Sequence, residues 1–137
     1  MITFNYETDF NLNDENYLQN WIENVVLGND FEVGEVNYIF CDDTYLHKLN
    51  VEFLKHDTLT DIISFDNSLG KLINGDIFIS VERVADNATN FKVSFEDELH
   101  RVMIHGIFHY MGFKDKSDDE KKQMREQENQ ALLILNN

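Results

Sequence analysis

The chain has no proline, one cysteine and six glycines among its 137 residues. Without proline it lacks the commonest rigid turn former, so Gly, Asn and Asp must make its turns. A lone Cys41 excludes an intrachain disulfide and a thiolate metal cluster, and a reducing compartment follows as the expectation. Cys41 ends an apolar run and reads as a small buried residue rather than a nucleophile. The N-terminus (MITFNYETDF) has no basic start and no apolar stretch of the signal-peptide kind, and nowhere do about 18 apolar residues run together. These absences predict a soluble, unexported, cytoplasmic protein with no membrane partner.

Positive charge is missing from the first third. Residues 1–47 hold ten acids and no Lys or Arg, the first basic side chain being Lys48. Of the net −15, that third supplies −10; the rest, with 16 acids against 11 bases, supplies −5. Such a balance argues against a generic DNA-coating protein, which needs a basic face to displace counterions, yet leaves room for a local basic groove in the later two-thirds. The 42% hydrophobic and 12% aromatic content excludes an acidic disordered tail, and the length suits one domain with a buried core.

Periodicity orders the elements. Residues 2–6 alternate like a half-buried strand, and 14–27 place Tyr17, Leu18, Trp21, Ile22, Val25 and Val26 on one helical stripe. A second strand spans 33–41, then a short helix capped by Asp42 or Asp43 shows an apolar face of Tyr45, Leu46, Leu49 and Phe53. Residues 54–59 have no clear period. Strands are predicted at 61–66 and 76–81, with Ser68, Gly70 and Asn74-Gly75 as turn residues between them. After Ser80 the period turns helical; Ser94 with Asp97 opens a long helix to about Met111, and Ser117 with Glu120 opens the last. The expected class is α+β: one domain over 1–137, a small mixed sheet of about four strands and about five helices.

One segment carries chemistry: His105-Gly-Ile-Phe-His109-Tyr-Met-Gly112-Phe-Lys-Asp115. Histidines four apart leave a helix on one face, one turn from each other, and can share an ion. Gly112 sits where the helix should end and the chain reverse, so Asp115 can swing back as a third donor. Two nitrogens and one carboxylate leave a coordination position open, the pattern of a catalytic zinc site. A lone His-x-x-x-His is more often incidental. Here the helix is apolar nearly all round from Val102 to Phe113, where two histidines are costly unless paired or metal-bound. Gly106 weakens the helix and suggests close approach by another segment or a substrate. The pattern nearly repeats that of metzincin peptidases, but Gly106 stands where their general base would be.

The same segment resembles the signature of the YbeY family, bacterial ribosomal-RNA maturation factors, written His-Gly-x-Leu-His-Leu-x-Gly-Tyr-Asp-His. It matches at His105, Gly106, His109 and Gly112, conservatively at Phe108, Tyr110 and Phe113, and departs where Lys114-Asp115 replaces Asp-His. Leu49-Asn50, Thr60-Asp61-Ile62-Ile63-Ser64-Phe65 and Gly75-Asp76-Ile77 are similar to three further family blocks in the same order. A second departure is Leu54, where the family usually carries an Arg; Lys55 or His56 is the nearest source of that charge.

The resemblance implies a zinc-dependent, single-strand-specific endoribonuclease. It would act in 3′-end maturation of small-subunit ribosomal RNA and in ribosome quality control, with the small subunit and ribosomal or assembly-factor proteins as partners. One zinc ion would be held by His105, His109 and Asp115. Asp61 and Ser64 are candidate catalytic residues, Asp61 either orienting a ligand histidine or capping a turn, Ser64 either facing the site or satisfying backbone. Lys55, His56, Lys114 and Lys116 are candidate substrate contacts, and Lys121, Lys122 and Arg125 extend that basic run or form a solvated helix face. His47 and His100 lack metal spacing. The rival readings are a non-catalytic zinc-containing assembly factor, consistent with Leu54, and a metalloprotease drawing its base from elsewhere than position 106.

Overall fold

The computed structural model describes residues 1–56 and 59–137. Four strands and five helices follow in the order β1 (Ile2–Tyr6), α1 (Glu15–Gly28), β2 (Glu32–Cys41), α2 (Asp43–Leu54), β3 (Ile62–Asp66), β4 (Leu72–Ser80), α3 (Val81–Phe91), α4 (Phe95–Tyr110) and α5 (Asp118–Leu135). The strands form one mixed sheet ordered β1-β2-β4-β3, with β1, β2 and β4 parallel and β3 antiparallel on the edge beside β4. This is the α+β arrangement that the alternation of periods predicts. Asn74-Gly75 lie inside β4 rather than in a turn: the strand begins at Leu72, and the reversal after β3 is made around Gly70, whose φ is 58°.

The period of two in β2 and β4 sends Val36, Tyr38, Phe40, Ile77 and Ile79 to one side of the sheet, where α1 and α4 cover them in the main core, with α5 packed on those two helices. On the other side α2 covers a smaller cluster of Cys41, Leu46 and Ile63. Its expected apolar face is only partly buried, because Phe53 is 61% exposed and meets Phe65 edge to face. Cys41 is buried as expected, and burial, with the nearby acids, pushes its thiol pKa up to about 12, so it is not a thiolate nucleophile.

Helix α4 is the axis of the fold. Ser94 caps it through the Asp97 N–H at 3.0 Å, and Tyr38, fully buried in the sheet, gives its hydroxyl proton to the Met103 carbonyl at 2.8 Å. Gly106 lets the helix lie close to the sheet, since a Cβ there would come within 3.2 Å of Ile62 and Ile77. The close approach expected from that glycine is therefore to β3 and β4. Helix α5 starts at a complete capping box between Ser117 and Glu120 and is tied to α1 by the Trp21 indole N–H donating to the Ala131 carbonyl at 2.8 Å. No described helix is long and apolar enough to cross a membrane.

Candidate metal centre

The buried residues of α4 leave a half-buried stripe of Arg101, His105 and His109, four residues apart and hence one above another. The helix ends as the glycine predicts. Gly112 takes a φ of 95°; its N–H donates to the His109 carbonyl at 3.0 Å and the Phe113 N–H to the Phe108 carbonyl at 3.0 Å. This pair of bonds, sealed by edge-to-face contact of Phe108 and Phe113 at 5.4 Å, turns the chain back along the helix. Asp115 then lands on the histidines. Its Oδ2 lies 3.2 Å from His105 Nε2 and 3.3 Å from His109 Nε2, and the two nitrogens are 2.9 Å apart.

A tetrahedral ion with bonds of about 2.0–2.1 Å separates its ligand atoms by about 3.3 Å, so these three donors suit one small cation. The side chains are half-buried and His105, His109 and Asp115 form the one group among the described residues able to share an ion. Position 106 offers no side chain that could act as a base, and Ile62 and Ile77 close the space around it.

The other ring nitrogen of His105, Nδ1, is 2.7 Å from Glu128 Oε2, a buried carboxylate on α5. Arg101 holds the second oxygen of Glu128 through Nη1 at 2.9 Å and reaches Asn129 Oδ1 with Nη2 at 2.9 Å. Burial pulls the His105 pKa down, but the hydrogen bond and charge of Glu128, with Asp115 and Asp61, outweigh it and leave the value raised. Burial likewise pushes Glu128 up, and its bonds to His105 and Arg101 reverse the sign and hold it low. A carboxylate on Nδ1 fixes the proton there and turns the lone pair of Nε2 toward Asp115 and His109.

Asp61 lies in the wall of a cavity of about 280 Å³ shared with His105, Asp115, Arg101, Arg125 and Glu128. It does not orient a histidine; Glu128 has that position. The Asp61 carboxylate accepts instead from Asn87 Nδ2 at 3.4 Å, and burial raises its pKa. Ser64, three residues further on and inside β3, does not line the cavity. Lys55 takes the left-handed cap of α2, with His56 next to it; both are exposed and neither lines the cavity. Lys114 and Lys116 flank Asp115 and point to solvent. Residues 57 and 58 of the aperiodic 54–59 stretch lie outside the described residues.

Glu128 and Arg101 escaped the sequence reading; Arg125, which that reading placed in the basic run, lines the cavity. A signal for the first exists: Met124, Glu128, Ala131, Leu132 and Leu135 share the buried stripe of α5, and an acid on such a stripe needs a partner.

The family model for Endoribonuclease YbeY matches residues 3–136. A protein of that name from Flavobacterium johnsoniae is 57% identical over 135 residues, covering 98% of this chain and 97% of its own length. Another from Christiangramia forsetii is 51% identical over 134 residues, covering 98% and 94%. A solution structure from Thermotoga maritima superposes with a TM-score of 0.72 at 27% identity, over 98% of this chain and 89% of that one.

Proposed function

The chain belongs to the Endoribonuclease YbeY family, and we propose that it is a single-domain, zinc-dependent endoribonuclease in which one zinc ion is held by His105 Nε2, His109 Nε2 and Asp115 Oδ2. The observation that carries the reading is the triangle of donors at 2.9, 3.2 and 3.3 Å, built on a helix end whose motif the family shares. Three mixed nitrogen and oxygen donors, half-buried, suit zinc with a position left for solvent or substrate. Zinc bound there supplies Lewis-acid chemistry for phosphodiester cleavage.

The chain's own side chains do the rest. Glu128 keeps His105 in the tautomer that offers Nε2, and Arg101 keeps Glu128 ionised and in place. Asp61, on the cavity wall with its pKa raised, is the carboxyl group placed to take up or release a proton at the reacting phosphate. Ser64, off the cavity wall, has a supporting part. Lys114 and Lys116, beside Asp115, meet the incoming RNA backbone by charge alone, and Lys55 and His56 extend that path from the end of α2. The substrate is single-stranded small-subunit ribosomal RNA near its 3′ end, in the cytoplasm, with the small subunit and its assembly proteins as context.

The test is cleavage of structured small-subunit ribosomal RNA by the purified protein. Cleavage should stop on chelation and be absent from His105→Ala. Cleavage that survives in that variant would assign the activity to something other than this site. Zinc and ribosomal subunits bound with no cleavage at all would instead support the non-catalytic reading that Leu54 permits.

A further inference from the structure

Two cavities meet at a pair of arginines. The smaller is the one of about 280 Å³ beside His105 and Asp115; the larger, about 460 Å³, has Phe91, Val93, Asp97 and Leu132 in its wall; Arg101 and Arg125 belong to both. The two guanidiniums differ in what they have left to give. Arg101 spends its donors on Glu128 and Asn129, and its side chain is only 22% exposed. Arg125 is 56% exposed, and its Nη1 stands 3.8 Å from the Glu128 oxygen that Arg101 already holds, beyond hydrogen-bond reach. With Glu128 engaged by His105 and Arg101, the planar fork of Arg125 faces the junction of the cavities with donors to spare.

The charge balance selects the ligand. Asp61, Asp115 and Glu128 against Arg101 and Arg125 leave the smaller cavity at −1, and a divalent ion on the three donors changes that to +1. The larger cavity adds Asp97 and Glu98, so the complement to an anion is the metal side of the arginines. On the far side of Arg125 the larger cavity has the size for one nucleoside and an exposed ring, Phe91, at its rim beside exposed Val93. Resting on the reading of the site as an RNA-cleaving metal centre, we propose that Arg125 binds a backbone phosphate adjacent to the scissile one. The nucleoside beyond it enters the larger cavity with its base stacked on Phe91. Such a pocket takes one unpaired base at a time, so it selects single strands over duplex.

The experiment measures binding of a short 2′-O-methyl single-stranded RNA to zinc-loaded protein by fluorescence anisotropy across a salt series. Arg125→Ala should weaken binding about tenfold and reduce the slope of log affinity against log salt by about 0.7. Arg125→Lys should keep the slope and lose part of the affinity, because an ammonium keeps the charge without the fork. Phe91→Ala should weaken binding about fivefold or more with the slope unchanged. Lys71→Ala, which removes a cation lying over the Phe31 ring, is the control and should match wild type. All variants should retain wild-type zinc content. If wild type binds and Arg125→Ala binds equally with the same slope, the phosphate contact is wrong; if Phe91→Ala binds like wild type, the nucleoside placement is wrong. A wild type that neither binds nor cleaves RNA overturns the underlying reading of the site.

Discussion

Helix α4 carries histidines on opposite faces, and the two regions treat the same side chain in opposite ways. His105 faces α5 and Asp115, hydrogen-bonded to Glu128, and its pKa is raised. His100 faces α1, packed edge-on against Trp21 at 6.1 Å in the wall of a largely apolar cavity with Leu18, Phe95 and Leu99, and burial lowers its pKa despite Glu96 and Asp97. Both rings are half-buried. Burial therefore does not distinguish a ligand from a packing residue; a carboxylate within hydrogen-bond reach of the ring does.

The largest effect that sharpens this contrast is on activity. His105→Ala should lower RNA cleavage by more than about a hundredfold, beyond the cost of losing an outer partner alone, whereas His100→Gln should leave cleavage near wild type. Equal losses would erase the distinction between the two faces. Next in size, Glu128→Gln should weaken zinc binding about 10- to 100-fold, read by competition with a chromophoric chelator. His100→Gln should not move that affinity.

The pH dependence of the metal-free protein differs in sign between the two rings. His105 has a raised folded pKa, so its contribution is complete below the unfolded value of about 6.5 and is lost as pH rises through the folded one. Glu128, held low, contributes fully above about 4.5 and loses its contribution as pH falls through its folded value. His100, held low, binds a proton more readily when unfolded and so destabilises the fold as pH falls below about 6.5. Urea melts over pH should thus show Glu128→Gln losing the decline that sets in above about 6.5, and His100→Phe losing part of the decline on the acid side. The smallest change is Gly106→Ala: a helix gain of about 1 kcal/mol against a 3.2 Å contact with Ile62 and Ile77 should leave stability within about 1 kcal/mol of wild type.

What could be read from the chain alone was whatever is local. His105, His109, Gly112 and Asp115 span eleven residues, and a helix, a left-handed turn and a return determine where they go. The caps at Ser94 and Ser117 are local in the same sense and start their helices where expected. Glu128 was not legible as a partner of His105, because 23 residues and the docking of α5 on α4 separate them. The order β1-β2-β4-β3 also depends on long-range pairing, which a period of two does not encode. Asn74-Gly75 carries turn chemistry, yet Tyr110 holds that stretch in the sheet, its hydroxyl donating to the carbonyls of Phe65 at 3.1 Å and Asp76 at 3.0 Å. Ser64 looked functional because it stands in a family block; it sits on β3 and does not line the cavity.

The central claim is that His105, His109 and Asp115 hold one ion together, and elemental analysis of the purified protein tests it most directly. Wild type should carry about one zinc per chain, and His109→Ala combined with Asp115→Ala should carry almost none while circular dichroism shows an unchanged fold. Equal zinc in the two proteins would contradict the site.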